Sequence, residues 1–306
     1  MNLMPIQIQP AQPHHRDEQA KLVHASLDVW HRTRLNMDRF GRAWEPFRFL
    51  VDTYAALDPG CSVVAVDESG ALLGTAFYHP RETHVGVGVV SVNPEAFGRG
   101  VARAMMEEII RIAEGKPLRL VSSAMNLDSF SLYTRLGFVP QVTLQAVTLQ
   151  VPKDGLPGAS TRLRAATMND VPAIADLEMR LNGIRKEKDY RFFVANATGG
   201  WRLSIIDKPD GSPAGFLAAS VHANDRLLGQ GVAEDDATMH ELVHGTLDQH
   251  FRGSETVWLI PVGCTGLVRQ AYGWGARNRE THLFNVLGDA PPMRGITIPT
   301  FLPESG

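Results

Sequence analysis

The 306-residue chain is about twice the common domain size, so its length predicts two domains. Its 44% apolar and 21% charged residues exclude a disordered or fibrous chain, and a formal net charge of −3 supplies no basic footprint for nucleic acid. With two distant cysteines (Cys61 and Cys264), no long apolar run and no apolar core between Met1 and Arg16, the sequence predicts a cytoplasmic protein without a disulfide scaffold, Cys-based zinc cluster, membrane span or secretory signal.

In chain order, Ile6-Gln7-Ile8 alternates like a strand, and Leu22, Ala25, Leu27 and Trp30 recur at helical spacing. Ser62–Val66 and Ala71–Tyr78 flank Asp67-Glu68-Ser69-Gly70, which reads as a hairpin turn. His84–Val92 is a third apolar strand. Val101–Ala113 is a helix by its period (Val101, Ala104, Met105, Ile109, Ile112), stopped at Gly115-Lys116-Pro117. Leu118–Ser122 reads as a strand, Ser129–Leu136 as a helix ended by Gly137, and Val142–Val151 as the strand that closes the domain. A mixed sheet with helices on its faces follows, an α/β or α+β layer architecture.

The segment Pro152-Lys153-Asp154-Gly155-Leu156-Pro157-Gly158 is rich in the residues that break regular structure, and predicts a linker over 152–160 between domains 1–151 and 161–306. Beyond it, Thr161–Thr167 reads as a short strand, and Asp170 caps a helix through Val171, Ile174 and Leu177. Two halves that open alike suggest a duplicated domain.

Chemistry is most legible in Val90-Ser91-Val92-Asn93-Pro94-Glu95-Ala96-Phe97-Gly98-Arg99-Gly100-Val101-Ala102, where a strand runs through a Gly-x-Gly turn into a helix. Glycines permit positive φ and close backbone approach, so successive N–H groups and the free first turn of the helix make an anion cradle. Arg99 adds a charge suited to phosphate. Further on, Asn126 and Tyr133 lie seven residues apart, two helical turns, on one face of the next helix, before Gly137-Phe138.

Together these stretches resemble the GNAT acetyltransferase family, which uses acetyl-CoA to acetylate amines. The resemblance places the family's pyrophosphate-binding pattern, Gln/Arg-x-x-Gly-x-Gly/Ala, on Phe97, Gly98, Arg99, Gly100, Val101 and Ala102. Phe97 departs from the usual Gln or Arg, which implies weakened cofactor binding. The same resemblance implies that the strand through Val90 and Val92 pairs its backbone with the pantetheine arm. It makes the Val92 N–H the oxyanion donor, and adds Asn126 and Ser129 to the cofactor site. Tyr133 would protonate the departing thiolate. The general base stays open between Glu82 and His84, with His79 and Glu45 as further candidates. The implied acceptor is a small-molecule amine, with acetyl-CoA as co-substrate and neither a metal, a membrane nor a nucleic acid as partner.

The second half reads as a degenerate GNAT-like domain, so the resemblance implies two tandem mixed, mostly antiparallel sheets flanked by helices. Val232 stands for Val92 but runs into Ala233-Glu234-Asp235-Asp236, acidic where a pyrophosphate would sit. Aligning Gly273-Trp274 with Gly137-Phe138 puts Arg269 at the place of Tyr133. The ending Gly295–Glu304 is also similar to tandem members of the family. Two alternatives compete with acetyl transfer. One is a non-catalytic CoA-binding or interaction module. The other is a zinc hydrolase, since His240-Glu241-Leu242-Val243-His244 is a His-Glu-x-x-His motif; Leu247 stands where a metzincin needs glycine, and His250 points away from His244 on the helix.

Overall fold

The computed structural model describes residues 6–158, 162–223 and 225–300. Ala159 and Ser160 of the expected linker, Thr161 after it, and the ending Phe301–Glu304 lie outside the described residues. The chain forms two compact units, Met1–Pro80 with Val85–Leu118, and Arg81–His84 with Arg119–Gly306.

The first unit holds β1 (Gln7–Pro10), α1 (Arg16–Arg34), α2 (Arg48–Leu57), β2 (Ser62–Val66), β3 (Leu72–Pro80), β4 (Val85–Val92) and α3 (Val101–Ile112). Strands β1 to β4 pair antiparallel in sequence order. The β2–β3 turn closes as expected, because the Asp67 carboxylate accepts from the N–H groups of Ser69 and Ala71 while Gly70 takes φ +85°. Helix α3 buries Val101, Met105, Met106 and Ile109. It rides close on β3 at Gly74, where a Cβ would lie 2.7 Å from Met105 Cε and 2.8 Å from Val101 Cγ1.

The second unit contains β5 (Leu118–Ser123, apart from its first residue), α4 (Leu127–Arg135), β6 (Val139–Gln150), β7 (Arg164–Ala165), α5 (Val171–Asn182), α6 (Glu187–Ala195), β8 (Trp201–Asp207), β9 (Pro213–His222), β10 (Asp225–Ala233), α7 (Asp236–His250), β11 (Glu255–Pro261), α8 (Thr265–Gly273), β12 (Arg277–Leu287) and β13 (Ile296–Ile298). Its sheet is mixed and mostly antiparallel: β7, β8, β9 and β10 pair antiparallel in order, β10 and β11 are parallel, and β6 lies antiparallel to both β11 and β12. Thus β6, expected to close the first domain, is an interior strand of the second unit, with Leu144, Ala146, Val147 and Leu149 buried. Periodicity marks such a strand but carries no information about its partner. The described part of the expected linker is anchored here too: Leu156 joins the second unit's core, and its N–H donates to Asp248 Oδ1 at 3.0 Å.

Asp170 occupies the N-cap position of α5, but its side chain does not cap the first turn as expected. Its carboxylate takes both prongs of the Arg164 guanidinium at 2.8 and 2.9 Å and the Thr167 N–H at 2.7 Å. The Arg164 hydrogen bonds hold the Asp170 carboxyl well below the usual carboxylate range. A depressed carboxyl stabilises the fold above its unfolded pKa, about 4, and loses that contribution as the pH falls further. Because Arg164 is partly exposed, screening limits the effect. Asp170→Asn is expected to cost about 1 kcal/mol at pH 7, and urea midpoints should show the gap to wild type narrowing at pH 3 and below.

Candidate functional site

Strand β4 delivers the chain into the cradle. After Val92, the Asn93 side chain accepts from Glu95 N–H at 3.0 Å, closing a short 3-10 turn at Pro94–Ala96. Gly98 and Gly100 take φ +76° and +84°, in the left-handed region. A Cβ at either would meet nothing within 4 Å, so the backbone angle calls for glycine and crowding does not. The bond from Ala104 N–H to Gly100 C=O starts the α3 ladder, which leaves the N–H groups of Val101, Ala102 and Arg103 in its open first turn. Phe97 is 46% exposed, and Arg99 is exposed beside it. Within the first unit, then, Val90, Val92 and Phe97–Ala102 form one strand–turn–helix stretch.

The β3–β4 register adds a feature absent from the sequence reading. Ala76 faces Val90 and Tyr78 faces Val87, so Phe77 opposes both Gly88 and Val89, a bulge. Beyond it, Asn93 N–H donates to Leu73 C=O at 2.8 Å. Antiparallel pairs alternate, so Ser91 and Asn93 turn their N–H groups to β3, and Val90 and Val92 turn theirs to the opposite edge.

Asn126, Ser129 and Tyr133 stand in the second unit. Asn126 is the N-cap of α4, its Oδ1 accepting from Ser129 N–H at 3.0 Å, so these two expected cofactor residues have a structural bond with each other. The helix ends in a Schellman arrangement, with Gly137 N–H to Thr134 C=O, Phe138 N–H to Tyr133 C=O, and φ +93° at Gly137. Tyr133 is 8% exposed, its ring edge-on to Phe138 at 5.7 Å.

These bonds recur in the second half and correct the expected alignment. Gly275 N–H donates to Tyr272 C=O and Ala276 N–H to Ala271 C=O, with φ +91° at Gly275. Gly275 therefore matches Gly137, and Ala271, not Arg269, stands at the place of Tyr133. The N-cap counterpart of Asn126 is Cys264, which makes no side-chain cap bond. Likewise Gly74 faces Val92 and Gly215 faces Ala233, so the counterpart of Val92 is Ala233 rather than Val232. The bulge is repeated as well, Ala218 opposing Gly229 and Gln230.

With the repeats in register, their difference is plain. Among the described residues, β10 pairs with β11 only through Leu227 and Leu228. Past the bulge β10 takes β13 instead, Gly231 facing Ile298, Val232 facing Thr297 and Ala233 facing Ile296. These three are the counterparts of Val90, Ser91 and Val92. In place of the glycine turn, Asp235 caps α7 by accepting from Thr238 N–H.

Residues 29–138 match the model of the acetyltransferase (GNAT) family. This match spans 110 of the chain's 306 residues. A mycothiol acetyltransferase of Arthrobacter sp. (strain FB24) is 36% identical over 110 residues, which are 32% of this chain and 32% of that protein, so the chain spans about a third of its curated relative. A putative acetyltransferase from Pyrococcus horikoshii superposes with a TM-score of 0.74 at 12% identity, covering 97% of this chain and 93% of that one. A tandem GNAT protein from the clavulanic acid biosynthesis pathway gives 0.59 at 14% identity, covering 94% and 100%. At such identities the likeness is one of fold.

The candidate bases are differently placed. Glu82 and Glu45 are exposed, whereas His84 is buried with its Nδ1 3.1 Å from Thr83 Oγ1. His79 is buried with both ring nitrogens occupied, Nδ1 on Asp58 Oδ2 at 2.7 Å and Nε2 on the Gly88 carbonyl at 3.0 Å, which removes it as an available base. Asp58 was not marked by the sequence, although two glycines in an apolar strand, Gly86 and Gly88, signal an irregularity there. The His-Glu-x-x-His residues of α7 serve packing. His240 stacks on Trp274 at 5.4 Å, Glu241 pairs with Arg162, and His244 Nε2 meets the Pro157 carbonyl at 3.0 Å. Among the described residues, no three His, Cys, Asp or Glu side chains are grouped to hold a metal, and no helix is long and apolar enough to cross a membrane.

The repeated caps give a paired expectation. Asn126→Ala should destabilise the protein by about 1 kcal/mol, and Cys264→Asn, at a similar backbone conformation, should stabilise it by a few tenths to about 1 kcal/mol. Denaturant titration of both variants checks the pair; equal shifts of the same sign would contradict the assigned caps.

Proposed function

We propose that the protein is an N-acetyltransferase that moves an acetyl group from acetyl-CoA to the primary amine of a small molecule, with one cofactor site per chain. The observation that carries this reading is the left-handed turn at Gly98 and Gly100, opening onto the first turn of α3 directly after the bulged β4. The residues present suit the co-substrate. The N–H groups of the cradle, with Arg99, suit a pyrophosphate, and the edge-facing N–H groups of Val90 and Val92 suit the amides and thioester of the pantetheine arm. Two GNAT-like repeats, 1–151 and 161–306 joined over 152–160, are supported by the matching bulges, helix ends and close-packed glycines of the two halves.

In the proposed reaction the neutral amine attacks the thioester carbonyl carbon, and the Val92 N–H stabilises the oxyanion. Collapse breaks the C–S bond. Tyr133 donates its proton to the thiolate, and the amine nitrogen sheds one to water or to a base such as Glu82. Asn126 and Ser129 set the N-terminus of the helix that carries Tyr133. The second repeat is read as non-binding: β13 occupies the counterpart of the pantetheine edge, Glu234–Asp236 replace the cradle, and Ala271 replaces the tyrosine.

Tyr133→Phe keeps the ring against Phe138 and removes only the hydroxyl. Turnover at saturating acetyl-CoA should fall on the order of 10²-fold with CoA affinity little changed. A loss of about 1 kcal/mol of stability with wild-type turnover would make the hydroxyl structural instead. Calorimetry should find one CoA per chain, and two equivalent sites would overturn the reading of the second repeat. CoA binding without thiol release from acetyl-CoA, across a panel of small amines, would favour a binding module.

A further inference from the structure

The buried pair Asp58–His79 has no part in the chemistry above, and it lies against the feature that orients the cofactor strand. Both side chains are 1% exposed. Burying ionisable groups costs desolvation that a close-packed apolar pair would avoid, so such a pair invites a reason. Its geometry is directional. The Gly88 carbonyl can only accept, so His79 Nε2 carries a hydrogen and donates it, while the 2.7 Å contact between Nδ1 and Asp58 Oδ2 holds the second proton of the pair. Tyr54, on α2 one turn before Asp58, packs against the ring at 4.5 Å, so the imidazole is fixed on three sides.

The bonded carbonyl belongs to the bulge. Before it, Arg81 N–H donates to His84 C=O, and by alternation Gly86 turns to β3 while Val85 and Val87 turn to the opposite edge. Strict alternation from Val87 would then bring Val89 and Ser91 to that edge. The one extra residue of the bulge brings Val90 and Val92 there instead. Whatever holds Gly88 therefore decides which N–H groups face a ligand.

The second repeat supplies the internal control. Its β10 bulges at the corresponding place, yet Ser220 stands at the position of His79, and there β13 pairs along the strand. The fold makes the bulge without the histidine. The histidine–aspartate pair accompanies the repeat that keeps the glycine cradle.

We propose that Asp58 and His79 are positioning residues for acetyl-CoA, locking the Gly88 carbonyl so that the Val90 and Val92 N–H groups stay aimed at the pantetheine arm and thioester. The proposal rests on the acetyltransferase reading. It separates the pantetheine part of the cofactor, which depends on the lock, from the pyrophosphate part, which depends on the Gly98–Gly100 turn.

The test compares acetyl-CoA with 3′-phospho-ADP, the portion of CoA that ends at the pyrophosphate, in the full-length protein. His79→Leu should lower kcat/KM for acetyl-CoA on the order of 10- to 100-fold, since small misplacement of reacting groups has effects of that size, while 3′-phospho-ADP affinity is unchanged. His79→Gln, whose amide N–H reaches toward the same carbonyl, should recover most of the loss. If His79→Leu does not fold, Asp58→Ala, which frees the ring without altering β3, carries the same comparison. A variant with wild-type kcat/KM, or one in which both ligands weaken equally, overturns the positioning role while leaving the acetyltransferase reading intact. A wild-type protein that binds neither ligand overturns that reading, and the positioning role with it.

Discussion

The constraint on which the proposed cofactor strand depends is the two-residue period of an extended chain. In β4 every other N–H faces β3, and one extra residue opposite Phe77 reverses the alternation for everything that follows. Neighbouring features fit around that reversal. Gly74, which faces Val92, has no side chain, so α3 can settle onto β3 with Met105 and Val101 in its place. The strand then ends in a turn whose two left-handed glycines point the chain into that same helix. Bulge, close-packed glycine and turn thus set the direction of one stretch of backbone, and the chemistry proposed for it uses main-chain N–H groups more than side chains.

The two halves of the chain show what that frame does and does not determine. Bulge, close-packed glycine and Schellman helix end occur in both, so these belong to the fold. Gly98 and Gly100, Tyr133 and the Asp58–His79 pair occur in the first half only. In the second, the corresponding edge of β10 is satisfied by the chain's own β13, whose backbone bonds to Gly231 and Ala233 meet the need that leaves few buried N–H groups unpaired. The strand that covers this edge also pairs with it, so closing the edge and stabilising the second half are one feature.

Turns and helix stops are more legible in the sequence than the pairing of distant strands, although the local expectation that the Asp170 side chain caps α5 fails. The Asp67–Gly70 hairpin, the glycine turn before α3 and the helix stop at Gly137 each sit within a few residues, where turn chemistry decides the outcome. The sequence places helices between the first strand and β2 but gives α2 no bounds, because its buried Val51, Tyr54 and Leu57 fall in a window too short to establish a period. The place of β6 between β11 and β12 depends on residues more than a hundred positions away. The alignment of the halves slipped for a related reason. Equal distances to the next strand match Val232 to Val92, whereas the β-sheet register matches Ala233, and a Gly followed by an aromatic points to Gly273-Trp274, whereas the left-handed residue is Gly275. His79 and Asp58 are 21 positions apart, with nothing in either neighbourhood to connect them.

The second unit's own arrangement is constrained by its buried charges. Arg81 and Asp189 form an ion pair at 2.8 Å with side chains 2% and 0% exposed, and Lys186 pairs with Glu178 at 3.1 Å, where burial pushes the Glu178 carboxyl up and the Tyr190 hydroxyl donates to it. Such pairs add little net stability over apolar residues, but removing one partner strands the other at a cost of about 3–5 kcal/mol. They are therefore better at specifying an arrangement than at strengthening it. The arrangement specified here includes Arg81–His84, the connection between β3 and β4, whose Thr83 Oγ1 also accepts from the Arg185 N–H at 3.0 Å. That short segment carries Glu82 and His84 and leads directly into the strand whose alternation governs the proposed site. Asp189, through Arg81, and Arg185, through Thr83, thus hold that connection within the second unit.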